Sequence, residues 1–187
     1  MSFDLVIVKK HEKDLWEEIV ARSLHTHLFH TWEWLKLAEK FTGFKLYPLL
    51  ILKGEEPVGI YPVFFKKKKI FKLAFSPPPY TGMSYLGPAV AGYEFLREDK
   101  KLDYLNNIVK MVDNFIFTKL KVSYFFSSLS PKLIDVRPYK WLGYEINTVF
   151  HYMMDISNVD EVWRSMKKGA RENIKKGIKK AYQFEVK

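Results

Sequence analysis

Residues 144 to 156 constrain this chain most. Tyr144, Ile146, Thr148, Phe150, Tyr152, Met154 and Ile156 fall on one face of an extended segment, and Glu145, Asn147, Val149, His151, Met153 and Asp155 on the other. Alternation with a period of two marks a half-buried β-strand. Directly after it, Ser157 or Asn158 is placed to cap a helix, with Asp160 or Glu161 at the third helical position, where a carboxylate accepts from the free N–H groups of the first turn. In that helix Trp163, Met166, Ala170, Ile174, Ile178 and Ala181 recur at steps of three and four as one apolar stripe. Arg164, Lys168, Arg171, Lys175 and Lys179 recur beside it. At about 100° per residue, Lys167 falls inside the apolar sector and Arg171 at its border. A cation held at a packed border is better aimed at an anion than one in open solvent. For the other lysines a solvated face is the alternative. A new strand is expected to begin near Val186.

The rest of the chain interleaves helices with strands. Met1 to Lys10 reads as a strand and has no signal-length apolar run behind a basic flank. Leu15 or Trp16, Ile19, Val20 and Ser23 suit a first amphipathic helix, and Trp34, Leu37, Ala38 and Phe41 a second that ends near Gly43. Leu46 to Lys53 and Val58 to Phe65 form a hairpin around Gly54-Glu55-Glu56-Pro57. Pro48 and Pro62 each lack a ladder donor, which predicts edge strands or bulges there. Ile70 to Phe75 is a short strand, and Ser76 to Pro79 opens a long irregular loop. Leu102, Leu105, Val109, Val112, Ile116 and Leu120 make one stripe of a long helix; Tyr104, Ile108, Met111 and Phe115 make a second, so the helix packs on more than one side. Val122 to Leu129 is the next strand. Ser130-Pro131 is placed to open a helix to Trp141, and Gly143 stops it. The expected fold is mixed α/β (α+β), a sheet flanked by helices.

Hydrophobic residues make up 48 % and aromatics 17 % of the 187 residues, enough for a real core and against disorder. No cysteine is present, so thiol and disulfide chemistry are excluded. No apolar run is long enough to span a bilayer. These features set the expectation of a cytoplasmic protein, with a peripheral position at the inner membrane face as an option. The net charge of +10 sits in two places. Lys66, Lys67, Lys68, Lys69 and Lys72 have no acid among them, and residues 158 to 187 carry nine Lys or Arg against Asp160, Glu161, Glu172 and Glu185. Such patches favour an anionic partner: nucleic acid, a nucleotide-linked precursor or a membrane surface. A hairpin loop kept soluble by charge is the plain alternative for Lys66 to Lys69.

His151-Tyr-Met-Met-Asp155-Ile-Ser157, then Trp163, Lys167-Lys168 and Arg171-x-x-Ile174-Lys175-Lys176, resembles a recurrent pattern of the FemAB family, the peptidoglycan interpeptide-bridge aminoacyltransferases and their acetyltransferase-like relatives. Leu28-Phe29-His30-Thr31-Trp32-Glu33-Trp34 is similar to that family's Phe-Gln-Ser-x-x-Trp helix start, with His30 in place of Gln. Gly54-Glu55-Glu56-Pro57-Val58-Gly59 resembles its first hairpin, and Leu86-Gly87-Pro88 its Gly-Pro turn, Leu86 standing where bridge-forming members often have Arg. Gly177 and Ala181 also depart from the pattern, which has Ala and Gly there.

The resemblance implies a GNAT-type acyltransferase lobe with a mixed, mostly antiparallel sheet. On this reading residues 1–157 are a first lobe, and residues 158–187 open an incomplete second one. The implied reaction passes an amino acid or acyl group from an activated ester to a substrate amine. The implied donor is aminoacyl-tRNA, the implied ligand an anionic precursor such as a nucleotide-sugar peptide, and the implied partner a second acyltransferase lobe or a homodimer. Carried over residue by residue, Trp34, Tyr80, Tyr85, Lys167, Lys168 and Arg171 are the candidate substrate contacts, with Arg171 suited to a diphosphate because its planar fork matches the oxygens. Core packing is the alternative for Trp34. No catalytic residue is assigned.

No cofactor is expected. None of the nine glycines forms the Arg/Gln-x-x-Gly-x-Gly/Ala loop that cradles the pyrophosphate of acetyl-CoA. There is no P-loop, no Gly-x-Ser-x-Gly elbow and no His-Glu-x-x-His helix. His25-Thr-His27-Leu-Phe-His30 lacks an accompanying acid or Cys and the i, i+4 spacing of a helical zinc pair. The expectation is that His30 or Thr31 caps the second helix and that the other histidines are partly exposed. His151 reads as a structural histidine before a general base. Two further readings stay open: a non-catalytic basic module for RNA or an anionic surface, and a small-molecule N-acyltransferase.

Overall fold

The computed structural model describes residues 2–133, 135–150, 152 and 154–180. The chain divides into two compact units, Met1–Ile146 and Asn147–Lys187.

The first unit is built on one sheet. Its strands are β1 (Phe3–Ile7), β2 (Lys45–Lys53), β3 (Glu56–Lys68), β4 (Phe71–Ser76), β5 (Ala89–Val90) and β6 (Tyr124–Ser127). The order is β1-β2-β3-β4-β6, with β5 pairing β3. All pairings are antiparallel except β4 with β6, which run parallel. Helices α1 (Lys13–Arg22) and α2 (Trp32–Thr42) lie on one face, and α3 (Glu98–Asn114) and α4 (Arg137–Trp141) on the other. The fold is therefore mixed α/β with a mostly antiparallel sheet flanked by helices.

Strand alternation supplies two cores, because successive side chains leave a strand on opposite faces. Leu49, Ile51, Tyr61 and Val63 meet Leu105, Ile108, Val109 and Val112 of α3. Leu50, Ile60 and Phe64 meet Trp16 and Ile19 of α1 and Trp32 and Leu35 of α2. A bulge keeps both faces in register: Ile51 lies opposite Gly59 and Leu52 opposite Pro57, so Val58 is the extra residue.

The two prolines are placed otherwise than the sequence suggests. β2 and β3 are interior strands, and Pro48 lies directly opposite Pro62. β1 pairs β2 only as far as Leu49, while on the outer side of β3 the partners cover 59–60 and 64–68. Each proline thus falls where its outer neighbour stops, so the missing N–H breaks no ladder.

The hairpin at Gly54, the Gly43 stop in the left-handed region (φ 65°) and the long α3 follow the sequence reading. Other elements differ. The buried face of α2 is Trp32, Leu35 and Ala38, and Leu37 and Phe41 are exposed. Helix α4 begins at Arg137, not at Ser130. The expected strand from 144 to 156 is not formed among the described residues: they are irregular, and Phe150, Tyr152 and Ile156 are exposed. A period-two pattern states which face a strand would bury once a neighbour supplies hydrogen bonds; no such neighbour occurs among the described residues.

In the second unit Asn158 caps α5 (Val159–Ser165), its Oδ1 accepting from the N–H groups of Asp160 and Glu161. The expected single helix is two, because Met166 and Lys167 are extended (ψ 142° and 144°) before α6 (Lys168–Lys179). The apolar stripe is thereby split between helices, and no residue of either is buried. His151 and residues 181–187, with the strand expected near Val186, lie outside the described residues.

Candidate functional site

The loop from Pro77 to Pro88 folds back over the ends of the parallel strands. Ser76 Oγ accepts from the Gly87 N–H at 3.1 Å, and the Leu86 N–H donates to the Ser128 carbonyl at 2.8 Å. Gly87 is required here. Its φ is +69°, and a Cβ would lie 3.0 Å from Leu129 Cδ2 and 3.4 Å from Leu129 Cα. This fold-back carries Leu86 and Gly87 against the segment joining α1 to α2.

That segment is pinned from several sides. Trp16 Nε1–H donates to the His30 carbonyl at 2.7 Å, Glu17 accepts from the Trp32 N–H at 2.6 Å, and Thr31 caps α2 by position while its hydroxyl donates to the Leu28 carbonyl. His27 Nδ1 accepts from the Phe29 N–H at 3.3 Å, which leaves the proton of the neutral ring on Nε2. The His27 ring lies edge-on to His30 (4.4 Å), Tyr85 (4.5 Å) and Phe29 (5.1 Å), and Phe29 in turn meets Trp34 (5.3 Å). His25 lies edge-on to Tyr93 at 5.0 Å.

Of the two histidines expected to be partly exposed, His27 is half-buried and only His25 is fully buried; His30 is buried too, and Thr31 takes the cap position. Among the described residues, every buried side-chain polar atom without a hydrogen-bond partner belongs to this cluster: His25 Nδ1, His27 Nε2, both ring nitrogens of His30, and Glu94 Oε2. Native proteins leave few such atoms, and each costs about 1–3 kcal/mol. Their collection in one place makes this cluster the candidate site.

Burial sets the protonation. It pushes His30 down to about 3, assisted by the neighbouring His27, while the adjacent Gly87 and Leu86 backbone pulls slightly the other way without a well-formed hydrogen bond. Burial and then Lys132 bring His27 to about 4. His25 is lowered by burial, opposed by Glu94 and reinforced by Lys132 and Lys101. At neutral pH the site holds neutral imidazoles, which donate from one nitrogen and accept at the other.

Beside His25 and Tyr93 opens a groove of about 180 Å³ lined by Tyr93, Glu98, Lys101, Lys132, Leu133 and Asp135. It is smaller than the ~300–1,000 Å³ of drug-sized sites, so it admits a headgroup or a side chain. Among the described residues no group of three or more His, Asp or Glu is spaced to hold a metal ion.

No family model matches this chain, and no curated protein matches it. Solved structures do. An acetyltransferase from Trypanosoma brucei aligns with TM-score 0.47 at 11 % identity, over 82 % of this chain and 99 % of that one. A transcriptional regulator from Bacillus halodurans C-125 aligns with TM-score 0.46 at 13 % identity, over 82 % of this chain and 100 % of that one.

Of the residues singled out from sequence, Trp34 and Tyr85 come together through Phe29 and His27. Tyr80 is on the same loop as Tyr85, fully exposed with φ 64°. Lys167, Lys168 and Arg171 belong to the second unit. There Lys167 precedes α6 and is exposed, contrary to the expected place in an apolar sector, Lys168 lies 3.9 Å from Glu172, and Arg171 is half-buried. Sequence reasoning missed Glu94 and Lys132. The acid that the histidine motif lacks in sequence is supplied from after β5, far along the chain, and only the fold brings it to His25.

Proposed function

We propose that the chain is a FemAB-like aminoacyl- or acyl-transferase lobe, and that the histidine cluster with Tyr85 and Trp34 receives the reacting end of an anionic, nucleotide-linked precursor. The observation that carries this reading is the concentration of unpartnered buried polar atoms in His25, His27, His30 and Glu94, beside two aromatic residues that the family resemblance had already singled out. In the reaction a substrate amine attacks the carbonyl carbon of an activated ester. A C–N bond forms, the ester C–O bond breaks, and the amine's proton ends on the departing hydroxyl. A His27 ring at about 4 is a weak base at neutral pH and a dependable neutral donor. Its Nε2–H suits the oxyanion that develops on the carbonyl, and the aromatic wall orients the acceptor. Separately, in the second unit, Arg171 is the residue we propose as a contact for a diphosphate, by its planar guanidinium alone.

The test supplies the chain with an aminoacyl-tRNA labelled in the amino acid, together with a nucleotide-sugar peptide bearing a free amine. The reading expects label in a new amide on the peptide. An absence of both transfer and precursor binding contradicts it, and transfer from a thioester donor alone replaces it with a small-molecule N-acyltransferase. Arg171→Ala is expected to weaken precursor binding by about tenfold or more, the value of a charge-assisted hydrogen bond, with the thermal unfolding curve unchanged. Calorimetric titration checks both, and unaltered affinity removes Arg171 as a diphosphate contact.

A further inference from the structure

The lysine run at the β3–β4 hairpin is not one uniform charged loop. Lys66 is turned inward: its Nζ donates to the Thr42 carbonyl at 3.1 Å and lies 4.8 Å from the Phe44 ring centroid. Lys72 Nζ donates to the Leu120 carbonyl at 3.0 Å. These two bind the base of the hairpin to the end of α2 and to the segment that follows α3. Lys67, Lys68 and Lys69 remain exposed around a two-residue turn, Lys69-Ile70, in which Lys69 takes φ +56°.

Short hairpin turns favour Asn, Asp and Gly. This one places Ile70 at its outermost point, 83 % exposed, followed by Phe71 at 56 %. The Lys66 bond to Thr42 keeps the last turn of α2 at the same end of the unit, and there Phe41 is 75 % exposed. Residues 66 to 72 contain no acid.

We propose that this hairpin tip docks the protein on an anionic lipid surface, with Ile70 and Phe71 entering the boundary between headgroups and acyl chains and Lys67, Lys68 and Lys69 meeting the lipid phosphates. Apolar side chains ringed by lysines are the composition of an interfacial anchor, in which long stems lie along the apolar layer and the ammonium groups reach the headgroups. A nucleic-acid surface accounts for the lysines and leaves Ile70 and Phe71 without a role. The anchor and the transfer site are independent: either can exist without the other.

Sedimentation of the full chain with phosphatidylcholine–phosphatidylglycerol vesicles tests this. Binding is expected, and to fall sharply on vesicles of phosphatidylcholine alone. Each lysine near an anionic surface contributes about fivefold, so K67Q/K68Q/K69Q is expected to lower vesicle affinity about 100-fold. I70S/F71S is expected to lower it about tenfold or more, as loss of a small buried apolar anchor does. Unchanged melting curves show that both variants stay folded. Three results overturn the proposal: no binding to the mixed vesicles, binding untouched by either variant, or binding that depends on the lysines, ignores I70S/F71S and is matched by a single-stranded RNA oligomer. The last identifies a general polyanion surface instead.

Discussion

Trp16→Ala is expected to destabilise the first unit by about 4 kcal/mol, the cost of removing a large buried aromatic and leaving a cavity. Trp16 is fully buried on α1, edge-on to Trp32 at 6.2 Å, and its indole N–H donates to the His30 carbonyl. The substitution removes packing against the sheet and also leaves that buried carbonyl without its partner. Against a usual total of about 5–15 kcal/mol for a domain, this is a large fraction. Trp16→Phe separates the two effects: most of the ring volume stays, the hydrogen bond goes, and a loss of about 1–2 kcal/mol is expected. Urea unfolding of the three proteins measures both. A loss below 1 kcal/mol for Trp16→Ala contradicts the placement of this residue as the pin between α1 and the histidine segment.

Acidification is the second large effect. His30 titrates near 3 in the folded protein and at the ordinary 6.5 when unfolded. The unfolded chain therefore takes up a proton that the folded chain refuses. Stability is fully present above pH 6.5 and is lost as pH falls through the window down to about 3. For this buried ring alone the loss is about 2 kcal/mol by pH 5 and on the order of 4 kcal/mol near pH 3. His27, held near 4, and His25, also lowered, act in the same direction. His30→Gln removes the titrating group and keeps a polar side chain. Unfolding free energies from pH 7 to pH 5 are expected to fall about 2 kcal/mol less in the variant than in the native chain. Parallel pH profiles contradict the burial of a neutral His30.

Much of the first unit is legible in its residues because the signals there are local. Gly54 marks the hairpin and Gly43 the helix stop, each at a positive φ that glycine adopts without strain. The apolar stripes of α3 foretell the helix itself, and its buried residues Leu105, Ile108, Val109 and Val112 recur at steps of three and four along one face. The failures are those of non-local partners. Residues 144 to 156 carry a strand's alternation with no strand beside them among the described residues, and Pro48 and Pro62 escape the rule for interior strands because neighbouring strands stop short of them. No glycine or proline stands at Met166 and Lys167, where the basic helix breaks.

The site divides the same way. Trp34 and Tyr85 were reachable from the resemblance. The histidine motif has no acid beside it in sequence, and its distinguishing property, buried ring nitrogens without hydrogen-bond partners, depends on Leu86, Gly87 and Glu94 arriving from other parts of the chain.

The most direct measurement is an NMR titration of the histidine-labelled chain with a nucleotide-sugar peptide, following the imidazole signals. The account predicts that the His27 signal moves on binding while that of exposed His11 does not, and that Tyr85→Ala weakens the binding by about tenfold, in keeping with the worth of one aromatic contact. Binding that leaves the His27 signal in place, or that Tyr85→Ala leaves at full strength, would contradict the placement of the acceptor at this cluster.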